Sequence, residues 1–483
     1  MSETAALAPE PVSAPVPIGT RVSLDADARF YGEDLVAGGA PWRLLRLSRA
    51  SRAVVERWRR GDDVGAGEGR FARTLIQQGI LHPHHPAIPA VDDVDVVIPV
   101  HDEIARLGPL LASLRGLHVT VVDDASVDAG LIEECTSRFD VDLVRLEMNL
   151  GPGGARNEGL AATSRPFVWF IDVDVDVDEP FDVLARLRGA LEDPLVAAAA
   201  PRVRGRTGST RRDSFEERFG PLDMGPNPGI VTPGGAIGFI PGACLLARRS
   251  ALGDGFDIAM RVGEDVDLVW RLHDRGWLVR YEPDVVVTHY ARRTWPLWWR
   301  QRVGYGESTS ALAQRHGQRV APLRADAWTL VAWGGVLARA PWLSGRIIRV
   351  ARNRLVERIG ESDEDAVSVA NALIGRSMVR SAGPMARALV RTYGPLLLVA
   401  SVHPKLRRRA LAVLALGIAW RCRHQRPHPA DLPLLLADDL AYSVGVAKGA
   451  LADRSLAALT PHITPSSIGL RDVLGLARPP ANA

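Results

Sequence analysis

Cysteine is scarce in this sequence. The 483 residues include three cysteines, Cys135, Cys244 and Cys422, which are too far apart for the short spacings of a zinc site or for a disulfide framework. Disulfide-rich scaffolds and zinc-finger proteins are therefore excluded. The pattern is typical of a protein in a reducing compartment, so we expect a cytoplasmic location.

Three further features are missing. The net charge of +3 is close to neutral, which provides no electrostatic footprint for nucleic acid, so we expect no nucleic-acid partner. The N-terminus lacks the basic and apolar regions of a signal peptide. The Gly-x-x-x-x-Gly-Lys-Ser/Thr pattern is absent, which argues against phosphoryl transfer by a P-loop enzyme.

The length indicates two or three domains, because a single core does not grow to 483 residues. Composition and hydrophobic patterning divide the chain into four parts. We predict a disordered tail rich in Ala, Pro and Val at 1–18, a small domain with a linker at 19–90, an α/β domain at 91–320 and a helical region at 321–483.

The small domain combines short strands with two helices, predicted at 49–59 and 70–78. This order favours a winged-helix-like fold and resembles the small peptide-recognition domains of pathways that modify ribosomally made peptides. A purely structural extension is the alternative, and no basic recognition helix indicates DNA binding. The segment His82–Pro86 is interrupted by prolines, so we interpret it as a linker rather than as a metal-binding histidine cluster.

The apolar run Phe167–Ile171 is followed by carboxylates at alternate positions, beginning with Asp172 and Asp174. Such a run predicts a strand buried on both faces of a parallel sheet, and open α/β sheets bind ligands at the carboxyl ends of their strands. The two-residue period places both carboxylates on one face, where they repel unless a cation lies between them. Mg²⁺ or Mn²⁺ is the expected ion, and a charged strand end without a ligand is the alternative.

Two earlier apolar runs predict neighbouring strands of the same sheet. The first begins at Val94 and is expected to end at Pro99. The second is followed by Asp123 and Asp124, whose carboxylates suit hydrogen bonding to the base and the sugar hydroxyls of a nucleotide. A helix N-cap explains one of these acids equally well, but it explains both less easily.

The glycine-rich segment Gly151–Gly159 opens the next predicted helix. It contains Gly-x-Gly, and acids lie about 20 residues further on, as a dinucleotide-binding fingerprint requires. However, Arg156 occupies the place of the third glycine, and the segment follows the third strand of the domain rather than the first. A helix N-terminus that carries an arginine is an anion site, so we predict that Arg156 helps to hold a nucleotide-sugar.

A group of acids, Glu264, Asp265 and Asp267, begins another predicted helix. The acids can stabilise the helix dipole, and one of them can serve as a general base. His289 ends a further apolar strand, where a capping or core histidine is the alternative to a ligand. Arg302 follows in a segment rich in Trp and Arg and can clamp a diphosphate, with packing at a membrane interface as the competing interpretation.

Four of these motifs occur in order along the chain: Val96–Glu103, Val121–Ser126, Gly153–Asn157 and Phe170–Asp174. Together with the acids at 264–267 they resemble the family 2 inverting glycosyltransferases, over about residues 93–316. The resemblance implies an α/β domain of the GT-A fold, which transfers a sugar from a nucleotide-diphosphate donor with the help of a divalent metal.

The resemblance also implies roles for individual residues. Asp265 is expected to be the general base, with Glu264 and Asp267 as rivals. His289 is expected to be a third metal ligand beside Asp172 and Asp174. The candidate donor-binding residues are Pro99, Asp123, Asp124, Arg156, Asp172, Asp174 and Arg302.

The C-terminal region is rich in Ala, Leu and Arg, and its apolar segments at 331–338, 394–402 and 410–420 are shorter than the ~20 residues of a transmembrane span. The basic run Lys405–Arg409 suits anionic headgroups. We therefore expect helices associated with the inner face of the cell membrane. A soluble helical bundle that encloses the acceptor is the alternative.

The layout of the whole chain resembles the mycofactocin biosynthesis glycosyltransferases, which attach β-1,4-linked glucose to a peptide-derived redox cofactor. The resemblance implies UDP-glucose as donor, and as partner a peptide-derived acceptor or the proteins of its pathway. A cell-wall or lipid-linked glycan glycosyltransferase is one alternative. A non-catalytic protein that binds a nucleotide-sugar or serves as a peptide scaffold is an alternative of another class.

Overall fold

The computed structural model describes residues 14–40, 42–89, 92–360 and 366–464. The chain divides into two units, Met1–Arg293 and Thr294–Ala483. The boundary lies after Arg293, earlier than the predicted domain boundary at residue 320. The first unit contains the small domain and the α/β domain, and the second unit is mainly helical.

The small domain consists of short strands and two helices, which lie close to their predicted positions. These elements are β1 (Arg21–Leu24), β2 (Arg29–Tyr31), β3 (Leu35–Gly38), β4 (Arg43–Arg46), α1 (Arg49–Arg59), α2 (Gly69–Gln77) and β5 (Leu81–His84). Strands β2, β3 and β4 form an antiparallel sheet. Trp58 and Leu75 of the two helices are buried in the core beneath it. The winged-helix-like classification stays a prediction.

The interpretation of His82–Pro86 as a linker is wrong for its first half. Residues 81–84 form strand β5, which pairs antiparallel with β1 and places Pro83 opposite Val22. Pro83 is tolerated there because the pair has two strands and both are edges. His82 is buried, and its Nε2 lies 3.0 Å from Oδ2 of Asp25.

The ordered small domain also begins earlier than the predicted boundary at residue 18. Residues 1–13 of the predicted tail lie outside the described residues. Val16 is 3% exposed and belongs to the core of the small domain. Its backbone N–H donates to the carbonyl of Gly69 at 3.1 Å.

The α/β domain is built on one mixed sheet. Its elements are β6 (Val94–Val100), α3 (Ile104–Ser113), β7 (His118–Asp123), α4 (Ala129–Thr136), β8 (Asp142–Arg145), α5 (Gly151–Ala162), β9 (Phe167–Ile171), β10 (Val175–Asp176), α6 (Pro180–Ala190), β11 (Val196–Gly205), α7 (Arg211–Phe219), β12 (Gly229–Ile230), β13 (Cys244–Arg248), α8 (Arg249–Leu252), α9 (Glu264–Asp274) and β14 (Leu278–His289). The strand order is β10-β14-β11-β13-β9-β6-β7-β8, and β12 also pairs with β14.

The direction of the strands decides where polar side chains meet. Strands β9, β6, β7 and β8 are parallel neighbours, and β14 is parallel to β11. Strand β13 is antiparallel to both of its neighbours, β9 and β11. As a result β7, β9 and β14 all end at the same edge of the sheet, and all five residues of β9 are buried.

A buried ion pair joins the small domain to the α/β domain. Arg73 of α2 donates from Nη1 and Nη2 to the two carboxylate oxygens of Asp193, at 2.6 and 2.9 Å. Both side chains are at most 4% exposed. Asp193 lies between α6 and β11, so this bidentate contact holds α2 against the sheet domain.

The second unit contains long helices. Its elements are α10 (Trp295–His316), a 3₁₀ helix (Gly317–Val320), β15 (Arg324–Asp326), α11 (Ala327–Leu337), α12 (Pro341–Ile359), α13 (Ala366–Val402), α14 (Arg407–Arg421), α15 (Asp431–Ala452), a second 3₁₀ helix (Ala457–Leu459) and β16 (His462–Thr464). Helices α10 and α15 touch closely at Gly445, where an added Cβ would lie 2.0 Å from the carbonyl oxygen of Val303. In the described part of the chain, no helix is both long and apolar enough to cross a membrane.

Substitution of Arg73 by Ala should loosen the small domain. It leaves Asp193 buried without its partner, which costs about 3–5 kcal/mol. Hydrogen exchange measured by mass spectrometry should show faster exchange of the α2 amides. The exposed Arg70 on the same helix, replaced by Ala, is the matched control. Equal exchange in the two variants would contradict a docking role for the Arg73–Asp193 pair.

Candidate active site

Asp172 and Asp174 lie where the sequence predicts them, directly beyond β9. Strand β10 follows at once and pairs Val175 with His289 at the end of β14. This pairing brings Oδ2 of Asp174 to 3.2 Å from Nε2 of His289. Nη1 of Arg292 lies 3.3 Å from the same oxygen. The structure thus groups Asp174 and His289, as the metal hypothesis requires.

The two aspartates have different electrostatic environments. Burial raises the pKa of Asp172 and the nearby Asp174 adds to this, while Arg156 opposes it. Burial alone would also raise the pKa of Asp174, but His289 and Arg292 outweigh it and hold that pKa below its ordinary value. The charge of Asp174 contributes to the raised pKa of Asp172, so the two carboxylates repel each other, and such repulsion favours a bound cation.

The residues of this group have the chemistry of a divalent metal site. Two carboxylates and an imidazole are ligands that Mn²⁺ accepts, and the carboxylates also suit Mg²⁺. Among the described residues, however, no three His, Cys, Asp or Glu side chains are arranged as a metal-binding set. Asp172 is paired with Arg156 instead. The metal ligation by Asp172, Asp174 and His289 therefore stays a prediction.

Arg156 connects Asp172, one of the three candidate metal ligands, to the acids of α9. It is 2% exposed, and its Nη2 donates to Oδ1 of Asp172 at 2.6 Å, while its Nη1 donates to Oε1 of Glu264 at 2.8 Å. Burial opposes the charge of this guanidinium, but the carboxylates of Asp172 and Glu264 raise its pKa above the ordinary value. Its positive charge is matched by protein carboxylates.

The three acids of α9 differ in exposure. Asp267 is completely buried and accepts a 2.8 Å hydrogen bond from Nε of Arg271. Glu264 is 6% exposed; burial and the neighbouring Asp265 raise its pKa to about 7 against the opposing charge of Arg156. Asp265 is half-buried. Asp265 is therefore the acid of this group that a substrate can reach.

Backbone N–H groups fix the carboxylate of Asp265. Gly242 donates to its Oδ2 and Val266 donates to its Oδ1, both at 2.8 Å. A Cβ on residue 242 would lie 3.1 Å from Cβ of Asp265, so a glycine allows the backbone to approach this closely. Gly242, in the glycine-rich segment before β13, thus orients an acid that lies 23 residues further along the chain.

Asp123 and Asp124, at the end of β7, have separate roles. Both oxygens of Asp124 accept backbone hydrogen bonds, from Leu150 at 2.6 Å and from Gly151 at 2.9 Å, at the start of α5. Oδ1 of Asp123 accepts from the N–H of Ser126. Oδ2 of Asp123 is buried without a hydrogen-bond partner, and Nε of Arg145 lies 4.0 Å away. An unpaired buried carboxylate oxygen is costly, which makes it a binding-site candidate.

Two predicted donor residues lie elsewhere than expected. Pro99 does not end β6, which continues to Val100; it is buried and paired with Val122 inside the sheet. Arg302 lies in the second unit, where it is 2% exposed and its Nε donates to Oδ1 of Asp438 at 2.9 Å. Donor binding by either residue stays a prediction.

Sequence reasoning missed Arg292 and the N–H of Gly242. Arg292 follows His289 closely, but no spacing rule indicates that its guanidinium turns back to Asp174. Gly242 lies in a glycine-rich segment, and such glycines are equally typical of ordinary turns. In both cases the signal depends on contacts between segments that are far apart in sequence.

The α/β domain matches a known family of enzymes. Residues 95–256 match the model of glycosyl transferase family 2. The matched range contains Asp123, Arg156, Asp172 and Asp174. The mixed sheet and the acids at its carboxyl edge thus define a glycosyltransferase of the GT-A fold.

The full chain is similar to the pre-mycofactocin glycosyltransferase of Mycobacterium tuberculosis. The two are 34% identical over 471 residues, which cover 93% of this chain and 98% of the relative. The chain therefore belongs to glycosyl transferase family 2. The poly-beta-1,6-N-acetyl-D-glucosamine synthase of Staphylococcus aureus is 28% identical over 199 residues, which cover 39% of this chain and 46% of the relative.

Solved structures of glycosyltransferases also align with this chain. One is a mannosyltransferase from Pyrobaculum calidifontis, solved in complex with GDP-Man and Mn²⁺. It is 18% identical with a TM-score of 0.43, and the alignment covers 77% of this chain and 90% of the mannosyltransferase.

The raised pKa of Glu264 predicts a pH-dependent stability. The folded state holds this proton more tightly than the unfolded chain, in which the ordinary pKa is 4.5. The corresponding stability is present below pH 4.5 and is lost as the pH rises to about 7. The free energy of unfolding, measured with urea at about pH 5 and about pH 8, should therefore fall more between these two pH values for wild type than for Glu264→Gln.

The exposed Asp274 at the other end of α9, replaced by Asn, is the control for this comparison. It should follow the wild-type pH dependence. Identical pH dependence of wild type and Glu264→Gln would contradict the raised pKa.

Proposed function

We propose that this glycosyltransferase moves glucose from UDP-glucose to a hydroxyl of a peptide-derived acceptor, with inversion and with a divalent metal. The observation that carries the mechanism is the half-buried Asp265, whose carboxylate is fixed by the N–H groups of Gly242 and Val266. A general base must be held in place and must be reachable by the acceptor. Asp265 meets both conditions.

The base has a defined task in this reaction. The acceptor oxygen forms a bond to the anomeric carbon while the bond from that carbon to the diphosphate breaks, and Asp265 takes the proton of the acceptor hydroxyl. Glu264 is a poorer base because it is buried and paired with Arg156. Asp267 is completely buried against Arg271. The former rivals of Asp265 are therefore assigned structural roles.

The leaving diphosphate requires positive charge. Asp172, Asp174 and His289 are the residues that would hold the metal, and the bound ion would stabilise the negative charge that develops on the diphosphate. Arg292 lies beside Asp174 and adds a fixed positive charge on the same side. Arg156 binds Asp172 and Glu264 at once, so we assign it to positioning rather than to direct donor binding.

The choice of a uridine donor is supported by Asp123. Its free, buried Oδ2 suits the N3–H of a uracil ring, which is a hydrogen-bond donor. Asp124 offers no such unpaired oxygen, because both of its oxygens bind the backbone at the start of α5. The base-reading role therefore goes to Asp123, and Asp124 shapes the loop beside it.

The acceptor is inferred from the relative whose alignment covers 93% of this chain and whose name is pre-mycofactocin glycosyltransferase. A small N-terminal domain held to the α/β domain by Arg73 and Asp193 suits a peptide-derived acceptor, and the alignment covers 93% of this chain and 98% of that relative. A lipid-linked acceptor is the second candidate. It is favoured by the exposed apolar side chains Leu396, Val399 and Val402 at the end of α13.

Replacement of Asp265 by Asn should abolish transfer. The amide cannot accept the hydroxyl proton, so we expect turnover to fall by about 10²–10⁴. The assay is UDP release from UDP-glucose with Mn²⁺ or Mg²⁺, and a small peptide-derived phenolic acceptor and a lipid-phosphate acceptor are offered in parallel. UDP affinity, measured by calorimetry, should stay close to that of wild type, because Asp265 is assigned to the acceptor side.

Three outcomes of this assay are decisive. The whole proposal is supported if turnover occurs on the phenolic acceptor and chelation of the metal abolishes it. Turnover only on a lipid-phosphate acceptor keeps the mechanism and rejects the peptide-derived acceptor. Unchanged turnover in Asp265→Asn, with Asp274→Asn as the matched control, rejects Asp265 as the base.

Replacement of Asp123 by Ala should weaken uridine recognition. Loss of one charged hydrogen bond of about 1.5–3 kcal/mol corresponds to roughly a 10- to 150-fold weaker UDP affinity. Isothermal titration of UDP and of GDP gives the measurement. The preference for UDP over GDP should shrink, while Asp142→Ala, at the exposed start of β8, should keep it. An unchanged preference in Asp123→Ala would rule out base reading by this residue.

We also propose that the second unit associates with an anionic membrane surface. The apolar side chains of Leu396, Val399 and Val402 are 68–78% exposed, and the basic run Arg407–Arg409 follows at the start of α14. Apolar and cationic groups side by side suit a headgroup region. Co-sedimentation with phosphatidylglycerol vesicles should occur and should weaken in Val399→Ser with Val402→Ser. Equal sedimentation with neutral vesicles would contradict the electrostatic part.

A further inference from the structure

A cavity of about 370 Å³ lies within the second unit, where α10, α13, α14 and α15 contribute to its wall. Its lining is mainly apolar and includes Pro384, Trp420 and Val446. Two guanidinium groups, those of Arg387 and Arg391, also line it. Among the described lining residues there is no carboxylate. The wall therefore combines two cationic groups with apolar side chains.

The two arginines differ in how their charges are matched. Arg387 donates from Nη1 to Oδ2 of Asp439. The side chain of Arg391 makes no hydrogen bond or ion pair within residues 14–40, 42–89, 92–360 and 366–464, and its Cζ lies 4.0 Å from the ring centroid of Tyr442. A guanidinium that stacks on an aromatic ring keeps its N–H groups available at the edge. Arg391 is thus an arginine that offers N–H donors to a ligand.

The aspartates of α15 are already paired with other arginines, and the charge of Arg391 acts on Asp438 without an ion pair. Asp438 accepts from Nε of Arg302 at 2.9 Å and is also paired with Arg421. Asp439 is paired with Arg387 and, at 3.3 Å, with Arg421. Burial lowers the pKa of Arg387; Asp439 opposes this, and the charges of Arg421 and Arg391 add to it. The guanidinium groups of Arg302, Arg387, Arg391 and Arg421 thus lie around two carboxylates, those of Asp438 and Asp439. An anion in the cavity would offset this excess of positive charge.

The backbone explains why Arg391 is held at this position. Pro395 has no N–H, so the carbonyl of Arg391 lacks its usual helical donor. The hydroxyl of Ser443 on α15 donates to that carbonyl at 2.8 Å instead. The helix is kinked at Tyr393, whose backbone angles are not helical. The kink and the hydroxyl together fix the turn of α13 that carries Arg391.

We propose that this cavity binds an anion, a carboxylate or a phosphate ester, that is attached to a small apolar or aromatic body. Arg391 and Arg387 would supply the N–H groups, because the guanidinium fork matches the geometry of both anions. The apolar body would pack on Trp420 and Val446. The volume is in the range of small-molecule sites. The proposal does not depend on the donor or acceptor assigned above.

Calorimetric titration of the full-length protein tests this site, with phenyl phosphate and benzoate as probes. Saturable binding of at least one of them is expected, with weaker binding of inorganic phosphate and no binding of phenol. Arg391→Gln should reduce the affinity at least about tenfold, as the loss of a charged hydrogen bond implies. Arg391→Lys should have an intermediate affinity. Arg408→Gln, an exposed arginine of α14, should bind like wild type.

A second variant keeps the test independent of the charge. Ala388→Leu fills part of the cavity without removing an arginine and should also weaken binding of the probe. A short-chain phosphatidic acid, offered as monomers, separates a lipid headgroup from a free phosphate ester: tighter binding than phenyl phosphate indicates the lipid source. Equal affinity of wild type, Arg391→Gln and Ala388→Leu would overturn the proposal. So would the absence of saturable binding of every anionic probe.

Discussion

The buried guanidinium of Arg156 is the interaction on which the active site depends. It binds Asp172 at the proposed metal site and Glu264 at the start of α9, two residues that are far apart in sequence. Removal of one partner from such a buried pair leaves an uncompensated charge, which is strongly destabilising. Because Arg156 satisfies both carboxylates, the strand end and the helix start keep a fixed separation. Asp265, which is half-buried and follows Glu264 directly in α9, is thereby held at a fixed distance from the strand end.

The rest of the α/β domain supports this centre through strand direction. Strands β7, β9 and β14 end at one edge, so Asp123, Asp172 and His289 lie at the same edge of the sheet. Each then has a different surrounding. Asp123 keeps a free buried oxygen, Asp172 is matched by Arg156, and His289 lies against Asp174. The proposed donor recognition and the proposed metal binding therefore use different residues of one sheet edge.

Much of the sheet edge was predictable, because buried apolar runs mark strands and strand order places their ends. This reasoning located Asp123, Asp172 and Asp174, and family membership confirmed the class of enzyme. The pairing of Arg156 with Glu264 was not predictable, since no local pattern records a contact across 108 residues. Strand β5 was missed because proline normally signals a loop, although an edge strand tolerates it. Arg302 was assigned by its neighbours in sequence, whereas the structure buries it against Asp438.

The most direct test of this account is the kinetic effect of Arg156→Lys on the proposed metal-dependent transfer of glucose from UDP-glucose. A lysine keeps the charge but cannot bridge two carboxylates with a planar fork. We predict a large loss of kcat, at nearly unchanged affinity for UDP without metal, although Asp123, Asp174 and Asp265 are untouched. Transfer at the wild-type rate would contradict the claim that Arg156 holds the metal side and the base side in register.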